Sequence, residues 1–437
     1  MKSNPVTSPP TRPSELVDLA REAGADDAAC VPVDAPSLGE EAEHIRALLP
    51  EAKSVISIVV AMNREQLNAP ARSLANLEFH HAGEEINAIC RRLALVLCKR
   101  GHRALAPAMG FPMEVQHFPD RIWSVAHKTV AVAAGMGHMG LHRSVIHPKL
   151  GSSILLGTVV TDIELDPDGV GVPLEGNPCF QCKLCVPACP VGAISPDGAF
   201  HFTACLTHNY RDFMGGFADW AEGLASSRSA LAFRRKSPTH EQVSIWQSLS
   251  FGANYKAAYC MAVCPAGEDV ISPFLGDKRG WRDRYLRPIE QRVEPVYVLP
   301  GSDAEAHVAK RYPHKPLRRV SSHLHPRSIG GFLDGLDLAF QPGQSRGIDA
   351  RFHFRFTGCT GTDGTETIDA TVEIRDGALV VQRGHLGDPD LAVTADARTW
   401  LAFLAKEVSI LRALLTRKVR PRGRLSLLPA FGRCFPL

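Results

Sequence analysis

Apolar and polar residues alternate along the first third of the chain in patterns that predict both helices and strands. Residues 54–62 and 154–160 are continuous apolar runs, as long as a strand that is buried on both faces. Apolar residues at helical spacing predict helices over 15–23, 73–99 and 122–134. Helices interleaved with buried strands indicate an α/β domain over residues 14–165.

The pattern changes twice further along the chain. Residues 166–290 combine short helical stretches with many turns, and residues 291–325 are rich in Pro, Arg and His, which predicts a linker. Residues 350–356 alternate strongly, and the runs 367–374 and 378–383 flank Asp376-Gly377, a hairpin signal. Helical patterns follow at 395–406 and 409–417. We therefore expect an α+β domain over residues 326–437.

Composition and charge narrow the class of protein. Hydrophobic residues make up 45% of the chain and charged residues 22%, as in soluble globular proteins. The net charge of +3 is too small to predict nucleic acid or a membrane surface as a main partner. Residues 1–12 lack an apolar signal core, and no apolar run approaches the ~20 residues that span a bilayer. We expect a cytoplasmic protein without a transmembrane segment and without a nucleic-acid partner.

The cysteines carry the strongest chemical signal. Seven of the 12 cysteines fall between residues 179 and 264, a clustering that favours metal ligation over disulfides in a reducing compartment. The run Cys179-Phe-Gln-Cys182-Lys-Leu-Cys185-Val-Pro-Ala-Cys189-Pro190 has the spacing of bacterial ferredoxins, whose fourth Cys ligates a second cluster. Reciprocity predicts one 4Fe–4S cluster, with four thiolate ligands, namely Cys179, Cys182, Cys185 and Cys264.

The second predicted cluster is one thiolate short. Its ligands are Cys189, Cys205 and Cys260, and Ala257 stands where a ferredoxin would carry another Cys. It is therefore predicted to be a 3Fe–4S cluster, or a 4Fe–4S cluster with one iron bound otherwise. By sequence the nearest other ligands are His208, Asn254 and Tyr255. A single cluster, or zinc held by four thiolates, are the alternatives.

The segment before the cysteines resembles epoxyqueuosine reductases and reductive dehalogenases. The matching stretches are His127-Lys128-Thr-Val-Ala-Val-Ala-Ala-Gly135-Met-Gly137-His138-Met-Gly140, then Gly151-Ser152, then Thr161-Asp162-Ile-Glu-Leu165. The resemblance covers about residues 14–290. It implies a nitroreductase-like, cobalamin-binding α/β domain fused to a two-cluster ferredoxin-like domain, in which the clusters pass electrons to cobalamin.

The resemblance also implies site residues. The predicted cofactor-binding residues are Gly135, Gly137, Gly140, His142 and Ser152. The predicted catalytic residues are Asp120, His127 and His138. Glycines let a backbone approach a ligand closely, although helix–strand packing explains them equally well. Histidine suits proton transfer near neutral pH, but a single histidine is more often structural.

Several positions depart from the pattern of these families. The family's Trp is His138 here, and its acidic proton donor falls at Arg121 by ungapped counting, with Asp120 adjacent. These departures predict chemistry other than that on queuosine in tRNA.

Residues 330–437 resemble a sterol-carrier-protein type 2 domain, as at the C-terminus of alkylsulfatases. The matching features are residues 352–358, the Asp376-Gly377 hairpin, Pro389-Asp390-Leu391-Ala-Val-Thr394-Ala-Asp396, Trp400 and Gly423. The resemblance implies an apolar tunnel for a lipid-like ligand. The alternative is a tunnel filled by the protein's own side chains.

Together these features predict a cytoplasmic iron–sulfur oxidoreductase. A ferredoxin or flavodoxin type of partner would give one electron at a time to the clusters. These would reduce cobalamin or a substrate, and a hydrophobic small molecule would be reduced or reductively cleaved. Two alternatives stay open: a non-catalytic electron carrier that has lost cobalamin, and an enzyme whose reaction centre is the open iron of the incomplete cluster.

Overall fold

The computed structural model describes residues 10–321, 323–359 and 367–436, which form a mixed α/β protein. Most of the predicted polar N-terminal segment lies outside these residues. No helix within the described ranges is long and apolar enough to cross a membrane.

The first region contains five helices and six strands. The helices are α1 (Pro13–Glu22), α2 (Glu41–Leu48), α3 (Arg64–Leu67), α4 (Arg72–Lys99) and α5 (His127–Ala133). The strands are β1 (Asp27–Pro32), β2 (Ser54–Ala61), β3 (Ala104–Leu105), β4 (His138–Met139), β5 (Val145–Ile146) and β6 (Ile154–Thr161). Short 3-10 turns cover Pro36–Leu38 and Val115–His117.

The sheet of this region has the order β1-β2-β6-β3, and all its neighbours are antiparallel. Strand β2 is almost wholly buried because both of its faces are covered. Ile56 and Ile58 pack with apolar residues of α4 such as Ile86 on one face. Val55 and Val59 face α2 and α5 on the other. The apolar runs therefore became strands buried on both faces, as predicted, although the sheet is antiparallel.

The cysteine-bearing region consists of short helices joined by loops. They are α6 (Cys185–Ala188), α7 (Phe202–Asn209), α8 (Gly216–Ala225), α9 (Ala230–Lys236), α10 (Thr239–Phe251), α11 (Tyr259–Ala262), α12 (Ile271–Gly276), α13 (Lys278–Trp281) and α14 (Arg287–Gln291). A single π-helical turn, Arg282–Leu286, joins the last two. Leu184, Val263 and Phe274 share a small apolar core that fastens α12–α14 to the cysteine loops.

The segment predicted as a linker is instead folded. Strand β7 (Val296–Val298), helix α15 (Asp303–Arg311) and strand β8 (Leu317–Arg319) form a unit whose two strands are parallel. Val296, Val298 and Val308 pack with Val191, and Cys189 and Cys205 lie against this core. Residues 296–319 thus form one wall of the cysteine-bearing region.

The C-terminal region is an α+β unit. Its helices are α16 (Ile329–Asp334), α17 (Leu336–Ala339), α18 (Ala397–Leu404), α19 (Ile410–Leu415) and α20 (Leu427–Cys434). Its strands are β9 (Ala350–Thr357), β10 (Thr367–Arg375), β11 (Ala378–Arg383), β12 (Leu391–Asp396) and β13 (Val419–Gly423), in the order β11-β10-β9-β12-β13. Only β9 and β12 pair in parallel.

Aromatic rings occupy the space between this sheet and its helices. Phe352, Phe354 and Phe356 project from one face of β9, and each is no more than 1% exposed. Trp400 lies 5.8 Å from the Phe354 ring, and Phe431 lies 4.9 Å from the Phe352 ring. This packing matches the alternative in which the protein's own side chains fill the tunnel.

Candidate iron–sulfur centre

The first cysteine group is assembled by a loop that turns sharply on either side of Cys182. Gln181 and Lys183 both have positive φ, 53° and 62°, which is unusual for residues other than glycine. Left-handed residues cost stability and are retained where the surrounding structure requires them. Here they turn the loop so that Cys179, Cys182 and Cys185 approach one another.

Cys264 joins this group through contacts between the first region and the downstream cysteine segment. Gly151 has a φ of 68°, and a Cβ there would overlap the carbonyl oxygen of Ala266. The Arg64 guanidinium donates to the carbonyl of Leu150 at 2.7 Å and to that of Ala266 at 2.9 Å. The segment that follows Cys264 is therefore fixed against the start of β6.

The electrostatics of these thiols agree with their proximity. Burial, together with the neighbouring Cys264 and Cys179, raises the pKa of Cys182 to about 11. Burial also raises the pKa of Cys185, as do the nearby thiols of Cys260, Cys264, Cys182 and Cys179. Burial raises the pKa of Cys264, although a hydrogen bond with the Ser152 side chain works against it. Ser152, a predicted cofactor-binding residue, thus lies beside a cysteine of this group.

The second group contains Cys189 after α6, Cys205 within α7 and Cys260 within α11. The Sγ of Cys189 accepts the backbone N–H of Ala193 at 3.3 Å. Burial raises the pKa of Cys205, and the thiols of Cys189 and Cys260 add to the rise. Burial raises the pKa of Cys260 to about 12. The Cys205 thiol therefore lies near those of Cys189 and Cys260, while Cys185 is influenced by Cys260 as well as by Cys264, Cys182 and Cys179.

Backbone hydrogen bonds fix Ala257, the position without a thiolate. Its N–H donates to Oδ1 of Asn209 at 2.9 Å, and its carbonyl accepts from Arg72 at 2.9 Å. Asn209 ends α7, the helix that carries Cys205. The gap in the second set of thiols therefore lies against α7.

Of the three other ligands suggested by sequence, His208 has a fully buried ring nitrogen without a hydrogen-bond partner among the described residues. Asn254 donates to Ser248 at 3.1 Å, and the Tyr255 ring packs 4.6 Å from Phe79. His208 follows Cys205 by three positions and so lies on the same side of α7. Its Nδ1 accepts the backbone N–H of Tyr297 at 3.3 Å, and its buried Nε2 lacks a partner among the described residues.

The tautomer of His208 decides what this ring can do. Burial lowers the pKa of His208 to about 3, so the ring is neutral. Because Nδ1 accepts a hydrogen bond, Nε2 carries the proton and is a donor. A metal ligand would need a lone pair at that atom. His208 is therefore suited to donate to a sulfur atom rather than to bind iron.

The thiol arrangement does not match a site for a single metal ion. Throughout the described ranges, no three or more His, Cys, Asp or Glu side chains are grouped to hold one ion. A zinc site would bring its thiolates within ~2.3 Å of one atom. A cubane spreads them, since each cysteine binds a different iron. A donor set made only of cysteine is compatible with iron–sulfur clusters and with zinc.

The glycine turn contacts the protein's own backbone. A Cβ on Gly135 would overlap the carbonyl oxygen of Val172, and one on Gly137 would overlap that of Ile146. A Cβ on Gly140 would lie 2.7 Å from Cδ1 of Ile146. A cavity of about 200 Å³ beside Gly140 and Cys179 is below the ~300–1,000 Å³ of ordinary ligand sites. These glycines serve close packing and do not fit a cradle for cobalamin.

The predicted catalytic residues do not meet at one point. Asp120 is exposed, and its carboxylate lies near Gly331 of the C-terminal region. The neighbouring Arg121 forms a two-pronged ion pair with Glu41, both contacts at 2.6 Å. Asp120 therefore lies beside the C-terminal region, and Arg121 is paired with α2.

The two predicted catalytic histidines are engaged in structural hydrogen bonds. His127 donates from Nε2 to the carbonyl of Ala108 at 2.9 Å and accepts from the hydroxyl of Thr158 at 2.8 Å. Burial lowers the pKa of His127. His138 donates to the carbonyl of Leu174 at 2.8 Å. Both rings bridge backbone segments.

Lys128 lies within the electrostatic reach of the second cysteine group. The Lys128 amine donates to the carbonyl of Arg143 at 2.6 Å. Burial lowers the pKa of Lys128, and the thiols of Cys205 and Cys260 partly offset this. Lys128 belongs to the matching stretch, but it was not among the predicted site residues.

His142, predicted to bind a cofactor, is a buried neutral donor. Burial lowers its pKa to about 4, and the nearby Lys128 lowers it further. Its Nδ1 accepts the N–H of Ser144 at 3.1 Å, while its Nε2 finds no partner in the described structure.

Comparisons with known proteins support the first of the two resemblances by sequence. No family model matches the chain. An epoxyqueuosine reductase of Bacillus cereus is 30% identical over 193 residues, which are 40% of this chain and 47% of that protein. The chain thus spans about half the length of the curated relatives it matches. The predicted resemblance to epoxyqueuosine reductases is confirmed over this part.

Solved structures match more weakly. An epoxyqueuosine reductase with a tRNA-Tyr epoxyqueuosine-modified stem loop has 21% identity and a TM-score of 0.33, covering 44% of this chain and 56% of that chain. A B12-dependent reductive dehalogenase has 14% identity and a TM-score of 0.39, covering 71% and 37%. A sterol carrier protein 2-like protein of Aedes aegypti has 19% identity and a TM-score of 0.20, covering 24% and 88%.

These comparisons overturn one prediction. The prediction of no nucleic-acid partner rested on the small net charge. It is wrong, because the matched relatives are epoxyqueuosine reductases and one matched structure contains a tRNA stem loop. Net charge is a sum over the whole chain, so a small net charge does not exclude a local basic patch.

Proposed function

We propose that this chain is an iron–sulfur oxidoreductase. Cys179, Cys182, Cys185 and Cys264 would hold the first cluster, and Cys189, Cys205 and Cys260 would hold the second. The observation that supports the proposal is the proximity of thiols from distant segments: Cys185 is influenced by Cys260 and Cys264, and Cys205 by Cys189 and Cys260. Curated relatives bear the name of a reductase, which agrees with an oxidoreductase.

The chemistry of the thiols supports metal-bound clusters. Burial raises the pKa of Cys185 and Cys205, so the metal-free thiols stay protonated at neutral pH. Metal binding would release those protons and add its free energy to folding. When bound, the clusters supply reversible transfer of single electrons. The residues around them fix the thiols and exclude water.

The exposure of the two groups suggests the direction of electron flow. Phe180, between two cysteines of the first group, is 43% exposed. The second group is covered by β7 and α15. The first group therefore suits electron entry, and the second suits transfer to a substrate.

Donors lie near the second group. His208 shares α7 with Cys205, and the Lys128 amine lies in the field of Cys205 and Cys260. The buried His142 ring lies near Lys128. A protonated amine and neutral N–H donors stabilise negative charge that develops on a substrate or on sulfur. We propose that Lys128 and His142 orient the atom that accepts electrons.

The first substrate to test is epoxyqueuosine in a tRNA stem loop, as the names of the relatives suggest. The aromatic core of the C-terminal region leaves little support for a hydrophobic small molecule held in a tunnel.

We assign no step to cobalamin. Gly135 and Gly137 are in close contact with the protein's own backbone, and Gly140 with the side chain of Ile146. Cobalamin binding stays open to direct titration, which forms one of the predictions below.

Anaerobic purification tests the proposal. We expect about seven or eight iron atoms per chain with matching sulfide, and dithionite-reducible clusters by electron paramagnetic resonance. Cys182→Ser should remove the first cluster's signal, and Cys205→Ser that of the second. Zinc in place of iron, or loss of the same signal in both variants, contradicts the two-cluster assignment. Turnover is then measured with the epoxyqueuosine stem loop and reduced flavodoxin, with unmodified stem loop as the control.

A further inference from the structure

Helices α12–α14 present a dense group of unpaired cations. Lys278, Arg279, Arg282 and Arg284 are exposed, and none has a carboxylate partner in the described structure. Of the nearby acids, Asp283 pairs with Arg287 at 2.9 Å, and Asp277 accepts the N–H of Gly280 at 2.7 Å. The local acids are therefore occupied, and the four cations face solvent.

Apolar side chains lie beside these cations. Leu275 is 56% exposed and Phe180 is 43% exposed. The Phe180 ring lies 5.6 Å from Phe274, which lies 5.8 Å from Trp281. We name the surface formed by Phe180, Leu275, Lys278, Arg279, Arg282 and Arg284 the basic face. An apolar centre with a charged rim is typical of protein–protein interfaces.

The basic face is attached directly to the first cysteine group. Phe180 stands between Cys179 and Cys182 in the loop that carries both thiols. The indole N–H of Trp281 donates to the carbonyl of Val263 at 3.2 Å, next to Cys264. A protein bound on this face would therefore lie against the ligands of the first cluster.

We propose that the basic face docks an acidic one-electron carrier protein. The inference rests on the proposed function, since it needs a cluster at Cys179, Cys182, Cys185 and Cys264. Charge complementarity carries it, because unpaired cations around a small apolar centre attract an acidic partner and steer its approach. An RNA partner would also bind these cations, but its binding would not require a position beside the first cluster.

The electron transfer needs no reactant other than the reduced carrier protein. A flavodoxin hydroquinone gives one electron and becomes a semiquinone. The first cluster accepts that electron, passing from its 2+ to its 1+ state.

The test is stopped-flow reduction of the full-length, cluster-loaded protein by photoreduced flavodoxin. We compare wild type with the double variant Arg279→Glu/Arg282→Glu. We expect the second-order rate constant to fall by about tenfold or more, with a weaker dependence on salt. Iron content and the rate of reduction by dithionite should stay unchanged, because dithionite is small and needs no docking face.

The matched control is Arg420→Glu/Arg422→Glu on strand β13, which makes the same charge change on the C-terminal sheet. We expect its flavodoxin rate to stay within about twofold of wild type. If the acidic variant loses iron, Arg279→Gln/Arg282→Gln takes its place and should give an intermediate rate.

Three results overturn the docking face. They are an unchanged flavodoxin rate in the α13 variant, an equal loss in the β13 control, and loss of stem-loop binding in the α13 variant with a normal flavodoxin rate. A wild type that dithionite cannot reduce would instead refute the proposed function itself, and the docking face with it.

Discussion

Restoring the missing thiolate by Ala257→Cys should complete the second cluster. The backbone at residue 257 is held by Asn209 and Arg72, each at 2.9 Å, so the new side chain should keep the direction of the alanine Cβ. In the wild type, three irons of the second cluster would each have a cysteine ligand, and the fourth iron would have no thiolate from the protein. Under oxidising conditions the wild type should lose that iron first.

The expected change is one iron atom per chain. After brief exposure to air we expect about seven iron atoms in wild type, from one four-iron and one three-iron cluster, and about eight in Ala257→Cys. Colorimetric iron and sulfide analysis measures the content. Electron paramagnetic resonance of the oxidised protein measures the three-iron signal, which should be present in wild type and absent from the variant.

A matched control separates position from the mere addition of a thiol. Ala262→Cys adds a cysteine to α11, two residues from both Cys260 and Cys264, and should leave iron content and the three-iron signal as in wild type. The reasoning is refuted if Ala257→Cys retains a full three-iron signal, because the position would then face away from the cluster. Equal rescue by the control would refute it as well.

Four further predictions follow from single contacts. Gly151→Ala should displace the segment after Cys264, because its Cβ would overlap Ala266, and the first cluster's signal should be lost while Gly101→Ala at an open turn keeps it. Ser152→Ala removes a hydrogen bond to Cys264 and should lower the reduction potential of the first cluster, seen by redox titration, with iron content unchanged. His142 is neutral when folded, with a pKa of about 4 against ~6.5 unfolded, so its stabilisation is complete above pH 6.5 and is lost as the pH falls toward 4. Between pH 7 and pH 5, urea unfolding should show a loss of stability that is about 2 kcal/mol larger in wild type than in His142→Gln. Hydroxocobalamin added in anaerobic titration should show no stoichiometric spectral change, and a base-off spectrum would contradict the packing role of the glycine turn.

Local sequence patterns predicted an element correctly where a single physical requirement, such as burial on both faces, determines the pattern. The runs that became β2 and β6 are apolar on both faces. The apolar residues at helical spacing that became α4 extend over many turns, so they predict a helix clearly. Helix α5 is shorter than its pattern, His127–Ala133 instead of 122–134. The side chain of Glu41 binds Arg121 and the N–H of Ala126, which holds the preceding residues out of the helix.

Site residues that were predicted only by resemblance differ from the cysteines, which were predicted from the spacing of their ligands along the chain. The cysteine spacing predicts which thiols approach one another, because two-residue gaps fix their separation along one loop. Asp120 and His127 were selected by counting along the chain, and the fold points one to the surface and bonds the other between Ala108 and Thr158. Alignment reports position along the chain, while side-chain direction depends on packing.

The sequence by itself therefore determined the strands, the long helix, the cysteine spacing and the absence of a thiolate at Ala257. Only the tertiary structure decided that Gly151 and Arg64 bring Cys264 to the first group, that residues 296–319 wall the second group, and that four unpaired cations lie beside Phe180. The physical reason is the distance along the sequence over which each kind of interaction acts. Periodicity and ligand spacing act within a few residues, whereas burial, pairing of charges and close backbone approach depend on segments that meet only after folding.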